Sequence, residues 1–234
     1  MQPEASPYPV RVRGDLDPAL SRWQWIVKWI LAIPHYIVLF FLHIAYAVVT
    51  VIAFFAILFT GRYPRGLFDF NVGVLRWSWR VRFYALSALG TDRYPPFSLR
   101  PDESYPADLD VDYPERLHRG LVLIKWWLLA IPQYLIVWAF VGSSRYWGGD
   151  DEGTAVIWIP LLGILVFIAA IALLFTGRYP HGLFAFVLGM NRWTLRVRAY
   201  VSLMRDEYPP FRLDQGPREP ENASRPPESG DPVR

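Results

Sequence analysis

The sequence predicts an all-α integral membrane protein: four transmembrane helices as two tandem helical hairpins, each followed by an amphipathic interfacial helix, with short cytoplasmic strands. Three observations lead there. The 234 residues are 53% hydrophobic and include 11 tryptophans, a composition too apolar and aromatic for a soluble domain. Arginines flank the apolar runs rather than interrupting them, as they do on cytoplasmic membrane flanks. Long blocks of the chain also recur in order, which is the signature of a duplicated unit.

The recurrence fixes the boundaries. Tyr8-Pro9, Asp15, Leu20, Arg22 and Lys28 return as Tyr105-Pro106, Asp112, Leu117, Arg119 and Lys125, and Leu31 to Pro34 returns as Leu129 to Pro132. Phe59-Thr60-Gly61-Arg62-Tyr63-Pro64 matches residues 175–180, and Arg76-Trp77 with Arg80-Val81-Arg82 matches Arg192-Trp193 with Arg196-Val197-Arg198. Each unit closes on Tyr-Pro-Pro-Phe, at 94–97 and 208–211. The expected organisation is a disordered N-terminus at 1–7, unit 1 at 8–100, an acidic linker at 101–104, unit 2 at 105–213 and a disordered Pro/Glu-rich tail at 214–234. The first 24 residues are polar, so no signal peptide is expected and the N-terminus stays inside.

Within unit 1, residues 25–60 form an apolar run of roughly 50 Å if helical, more than one bilayer thickness. Two readings follow. One is a tight hairpin turning near His43 to Tyr46; the other is a short interfacial helix before Pro34 leading into a single crossing. The charge rule favours the hairpin, because a single crossing would carry Arg62, Arg65, Arg76, Arg80 and Arg82 outside. In unit 2, spans at 121–141 and 155–175 flank an acidic loop at 142–154 with Asp150, Asp151 and Glu152, which is expected outside.

Phe-Thr-Gly-Arg-Tyr-Pro reads as a helix stop, with glycine for a left-handed cap and proline against continuation. The segments after it, 66–89 and 182–203, are long enough to cross but hold charges that cost about 2.5–3.5 kcal/mol each at mid-membrane. Interfacial helices are therefore expected there. Gly73, Arg76 and Arg80 share one helical face, as do Gly189, Arg192 and Arg196. Arg62, Arg76, Arg80, Arg178, Arg192 and Arg196 are accordingly the candidate residues for an anionic headgroup or a partner carboxylate, which guanidinium forks bind bidentately. Short alternating segments at 8–13, 96–99, 107–111 and 210–213 read as strands of a small cytoplasmic sheet.

Phosphate loops, dinucleotide fingerprints, nucleophile elbows and zinc-protease motifs do not occur, and the chain has no cysteine. The four histidines lie opposite other residue types in the matched unit, which argues against a repeated metal site. No catalytic residue, metal or cofactor is expected. The motif set Tyr8-Pro9-Val10-Arg11-Val12, Leu-Ala-Ile-Pro, Phe-Thr-Gly-Arg-Tyr-Pro and Arg-Trp-x-x-Arg-Val resembles a bacterial membrane-protein family, the domain-of-unknown-function family number forty-three eighty-nine. That resemblance covers both units and implies a bacterial plasma-membrane location and no activity. The expected function is a non-enzymatic polytopic protein that binds anionic lipid or serves as a scaffold or accessory subunit, with both termini cytoplasmic. Its partners would be the bilayer, a membrane-protein partner or a second copy, and not nucleic acid. The alternative is a small transporter or channel subunit.

Overall fold

The computed structural model describes residues 8–141, 160–210 and 213. The two expected disordered ends, the acidic loop, residues 155–159 of the expected last span, and Phe211 and Arg212 of the last strand segment lie outside those residues. The described elements are β1 (Val10–Gly14), α1 (Trp25–Leu31), α2 (Ile33–Thr60), α3 (Arg65–Ala85), β2 (Ala107–Val111), α4 (Arg119–Ile124), a π-helical turn (Lys125–Leu129), α5 (Ile131–Val141), α6 (Leu161–Thr176) and α7 (His181–Val201).

Helix ends follow local chemistry. Pro34 sits in the first turn of α2, where a missing N–H costs nothing. Gly61 ends α2 in the left-handed region at φ +70°, donating its N–H to Ile57 O at 2.7 Å, and Pro64 then precedes α3. Gly177 ends α6 the same way at φ +66°, bonding Leu173 O at 2.9 Å ahead of Pro180 and α7. One difference between the matched segments is absorbed inside a helix. Five residues separate Lys28 from Pro34 but six separate Lys125 from Pro132. The additional residue is taken up by the π-helical turn, so Lys125 and Ala130 are buried just as Lys28 and Ala32 are.

Four transmembrane helices are not what these residues form. Among the described residues one helix, α2, is long and apolar enough to cross a bilayer, with a mean hydropathy of 2.6 over its most apolar stretch. A second exists only if Arg119–Leu129 and Ile131–Phe140, bent by 44°, are taken as one span, and α6 has only 16 residues. The first hairpin is replaced by 28 unbroken helical residues. His43 and Tyr46, read as a turn, are polar for a different reason. His43 lies 3.3 Å from the Ser78 hydroxyl on α3, and the Tyr46 hydroxyl meets Ser202 just past α7.

The interfacial helices are also overturned. α3 and α7 are the most buried elements of the protein, with every residue of 71–81 and of 187–197 buried. They lie between two layers. On one side is a two-stranded antiparallel sheet with Val10 opposite Val111, Val12 opposite Leu109 and Gly14 opposite Ala107, all six buried. On the other side α1 and α2 cover α3, while α5, α6 and the π-helical turn cover α7. Only two of the four expected strand segments pair, because 96–99 runs as bends against Gly73 and residues 211–212 are not described.

The outer helices are pinned by buried polar contacts. Lys28 Nζ donates to Thr91 O at 2.8 Å and pairs with Asp92 at 2.7 Å, and Lys125 Nζ donates to Arg205 O and pairs with Asp206 at 3.0 Å. The two aspartates follow Leu89 and Leu203, both held at positive φ (51° and 64°). Trp77 Nε1 donates to His35 Nδ1 at 3.1 Å, and Trp193 Nε1 donates to Gln133 Oε1 at 2.6 Å. Histidine and glutamine thus serve as the same acceptor, which requires His35 to be neutral with Nδ1 free. Replacing His35 by glutamine should leave thermal stability in detergent nearly unchanged, while His35→Leu should cost about 1–3 kcal/mol by orphaning the indole N–H. Equal losses for both variants would contradict the acceptor role.

Candidate functional site

The six arginines singled out by the sequence divide into two groups that do not meet. Arg76, Arg80, Arg192 and Arg196 are at most 6% exposed and turn inward. A two-stranded sheet leaves carbonyls unpaired on both outer edges. Arg76 Nε donates to Leu109 O at 2.8 Å and Arg80 Nε to Ala107 O at 3.4 Å on the β2 edge, while Arg192 Nε donates to Val12 O at 3.1 Å on the β1 edge. Asp108 lies 3.0 Å from Arg76 and 3.1 Å from Arg80, and Asp110 lies 3.4 Å from Arg76. Arg196 lies over the Tyr8 ring at 5.4 Å. Burial pulls the Arg80 guanidinium down and the neighbouring Asp108 pushes it back up. On the sheet's outer face a hydrogen bond to Asp112 holds Arg11 up, against the opposing effect of burial.

Arg62 and Arg178 are exposed, each directly after the glycine that ends α2 or α6. Arg62 lines a cleft of about 470 Å³ with Thr60, Gly61, Leu117 and two further exposed arginines, Arg116 and Arg119. Leu117 fixes this wall, because its N–H donates to Gly61 O at 2.9 Å. The missing side chain at Gly61 lets Arg119 cross, with Nε only 3.4 Å from where a Cβ would stand. At the matched place Arg22 crosses Gly177, its Nε 2.6 Å from a Cβ position there. Among the described residues the guanidinium groups of Arg62, Arg116 and Arg119 make no ion pair and no hydrogen bond. Arg116 also borders a neighbouring cleft with Glu115, Asp206 and Glu207; Asp206 and Glu207 are engaged by Lys125 and Arg205, and the exposed Glu115 makes no ion pair with Arg116 among the described residues. No group of three histidine, aspartate or glutamate residues is placed to hold a metal ion among the described residues.

Arg116 and Arg119 were not singled out by the sequence reading, although Arg119 was visible as the match of Arg22. Their meeting with Arg62 is a tertiary contact between the start of the second matched segment and the end of α2, which no local spacing encodes. Asp108 and Asp110 carried a legible signal: acids two apart in a strand share a face. So did Asp92 and Asp206, each two residues before Tyr-Pro-Pro-Phe.

A family model described as Domain of unknown function (DUF4389) matches residues 22–98 and 156–212, more than half of the chain. No curated protein and no solved structure matches it.

The internal arginines generate a stability prediction. Arg80→Leu leaves the partly buried Asp108 with one cation fewer and the Ala107 carbonyl bare, and should cost on the order of 3 kcal/mol. Thermal unfolding in detergent reads this directly. A loss well under 1 kcal/mol would mean that Arg80 does not hold the β2 edge.

Proposed function

The chain belongs to this family of unknown function, and we propose that it is a non-enzymatic membrane protein that holds anionic phospholipid headgroups in the arginine cleft of Arg62, Arg116 and Arg119. One observation carries the reading: three guanidinium groups converge on one cleft and none of them is ion-paired to an acid among the described residues. Its position adds support. The cleft opens at the C-terminal end of α2, the longest apolar helix, so a lipid surface that takes up the apolar face of α2 brings its headgroups within reach of the cleft. A phosphodiester supplies the bidentate oxygens that arginine forks favour. Arg178 and Arg22 form a second basic point at the end of α6. The recurrence of lysine, tryptophan, glycine and arginine contacts at matched positions supports a further part of the proposal, that the protein is two tandem copies of one unit. The membrane is read as the bacterial plasma membrane with both termini on its cytoplasmic side, which the arginine-rich flanks favour.

Arg76, Arg80, Arg192 and Arg196 have no part in headgroup binding on this reading, since the sheet and the aromatic core occupy them. The test is co-flotation with vesicles that contain or lack anionic phospholipid. Each arginine near an anionic surface contributes about 1 kcal/mol, so the Arg62→Gln, Arg116→Gln, Arg119→Gln triple variant should bind anionic vesicles about a hundred-fold more weakly. Its loss should shrink as salt rises, and its melting temperature should not change. Undiminished binding by the triple variant would overturn the headgroup reading, and retention by a protein partner independent of lipid charge would replace it with a scaffold.

A further inference from the structure

α2 runs alongside α3 over most of its length. Trp77 reaches His35 at 3.1 Å near one end, Ser78 meets His43 at 3.3 Å near the middle, and Asn71 Nδ2 donates to Thr50 at 3.1 Å toward the other end. On the opposite face of α3, Arg76, which lies between Asn71 and Ser78 and so level with the stretch from His43 to Thr50, grips β2, and Arg80 grips it about one turn further on. The outer surface of that sheet carries Arg11, Asp110 and Asp112, with side chains 26%, 56% and 42% exposed. Were α2 to stand across a bilayer, those water-facing charges would lie at the depth of its hydrocarbon centre, the costliest place for them.

The basic residues argue the same way. Arg62, Arg116 and Arg119 gather at the C-terminal end of α2, whereas Arg22, three residues ahead of α1, lies with Arg178 toward the other end. A crossing α2 would place arginines on both faces of the membrane, against the inside bias of such residues. The exposed apolar side chains are segregated too. Large ones such as Phe41, Phe55, Trp127, Leu135, Phe167 and Ile168 come from the outer helices, while α3 and the two strands contribute none. His43, Tyr46 and Thr50 instead bond inward, leaving the outer face of α2 apolar.

We propose that the outer helical layer is a single-leaflet insertion surface: α2 lies in the plane of the bilayer, its exposed face among the acyl chains of one leaflet and the sheet turned to water. The occupant of the apolar face is lipid, and the proposal rests on the membrane reading above. An interfacial surface sinks only to the headgroup and acyl boundary, and here the polar side of α2 is taken up by α3 rather than by water, leaving only its outer face for lipid. With α2 flat, the arginines at both of its ends reach the same headgroup layer, and no charge of the sheet enters hydrocarbon.

The chain has no cysteine, so introduced thiols report alone. Ala19 is exposed ahead of α1, and a side chain added at Gly66, just after α2, meets nothing within 4 Å. The Ala19→Cys, Gly66→Cys double variant in sealed proteoliposomes is treated with a membrane-impermeant maleimide, and labels per chain are counted by mass spectrometry. Whatever the mixture of orientations, a flat α2 gives chains with two labels or none, which supports the proposal. Chains with one label each mean that α2 crosses, and overturn it. A protein that alkaline carbonate strips from the vesicles overturns the membrane reading itself, a failure seen before any label is counted.

Discussion

The unpaired carbonyls on the two edges of a two-stranded sheet are the constraint from which the rest of the architecture follows. Two strands alone are marginal in water, and here guanidinium groups stand where third and fourth strands would otherwise pair. Arg76 and Arg80 serve β2 and Arg192 serves β1. For those side chains to reach the edges, α3 and α7 must lie directly beneath the sheet, so the most charged helices become the most buried. The apolar helices are then left for the outside. An inside-out distribution of this kind is stable only where the outer surface meets something other than water.

Much of this was legible in the chain, and the failures have physical causes. The helix stops at Gly61 and Gly177, the strand segments read at 8–13 and 107–111 and found at Val10–Gly14 and Ala107–Val111, and the shared face of Gly73, Arg76 and Arg80 all follow from local chemistry or periodicity. Periodicity names a face but not what the face meets. An arginine stripe on an amphipathic helix reads as a phosphate-facing surface unless acceptors elsewhere in the chain are known, and here they are backbone carbonyls with no sequence signature of their own. His43 and Tyr46 misled for a related reason. A polar pair inside an apolar run suggests a turn, but these two residues bond across to Ser78 and Ser202 while the helix continues. The arginine cleft was half visible: Arg62 was chosen, but its companions come from a segment more than fifty residues away.

Matched positions separate what the contacts demand from what the residue type happens to be. Lysine is kept at 28 and 125, where an ammonium must donate both to a carbonyl and to a carboxylate. At 35 and 133 histidine and glutamine interchange, because the tryptophan opposite asks only for an acceptor. A histidine against an indole therefore needs no proton-transfer role to explain its presence. The half-buried Arg82 extends the pattern. Its guanidinium is drawn down to about 10 by desolvation, and the like charge of the matched Arg198, half-buried as Arg82 is, adds to the effect.

The π-helical turn at Lys125–Leu129 has a consequence for how such a chain can vary. One extra residue in an ordinary α-helix would rotate everything beyond it by about 100° and turn Gln133 away from Trp193. A single widened turn keeps the reading frame of the helix intact, so chain length and the direction a side chain points become separable quantities. The segment between lysine and proline is thereby a place where the polypeptide can lengthen or shorten by a residue without rewriting the alphabet of contacts on either side.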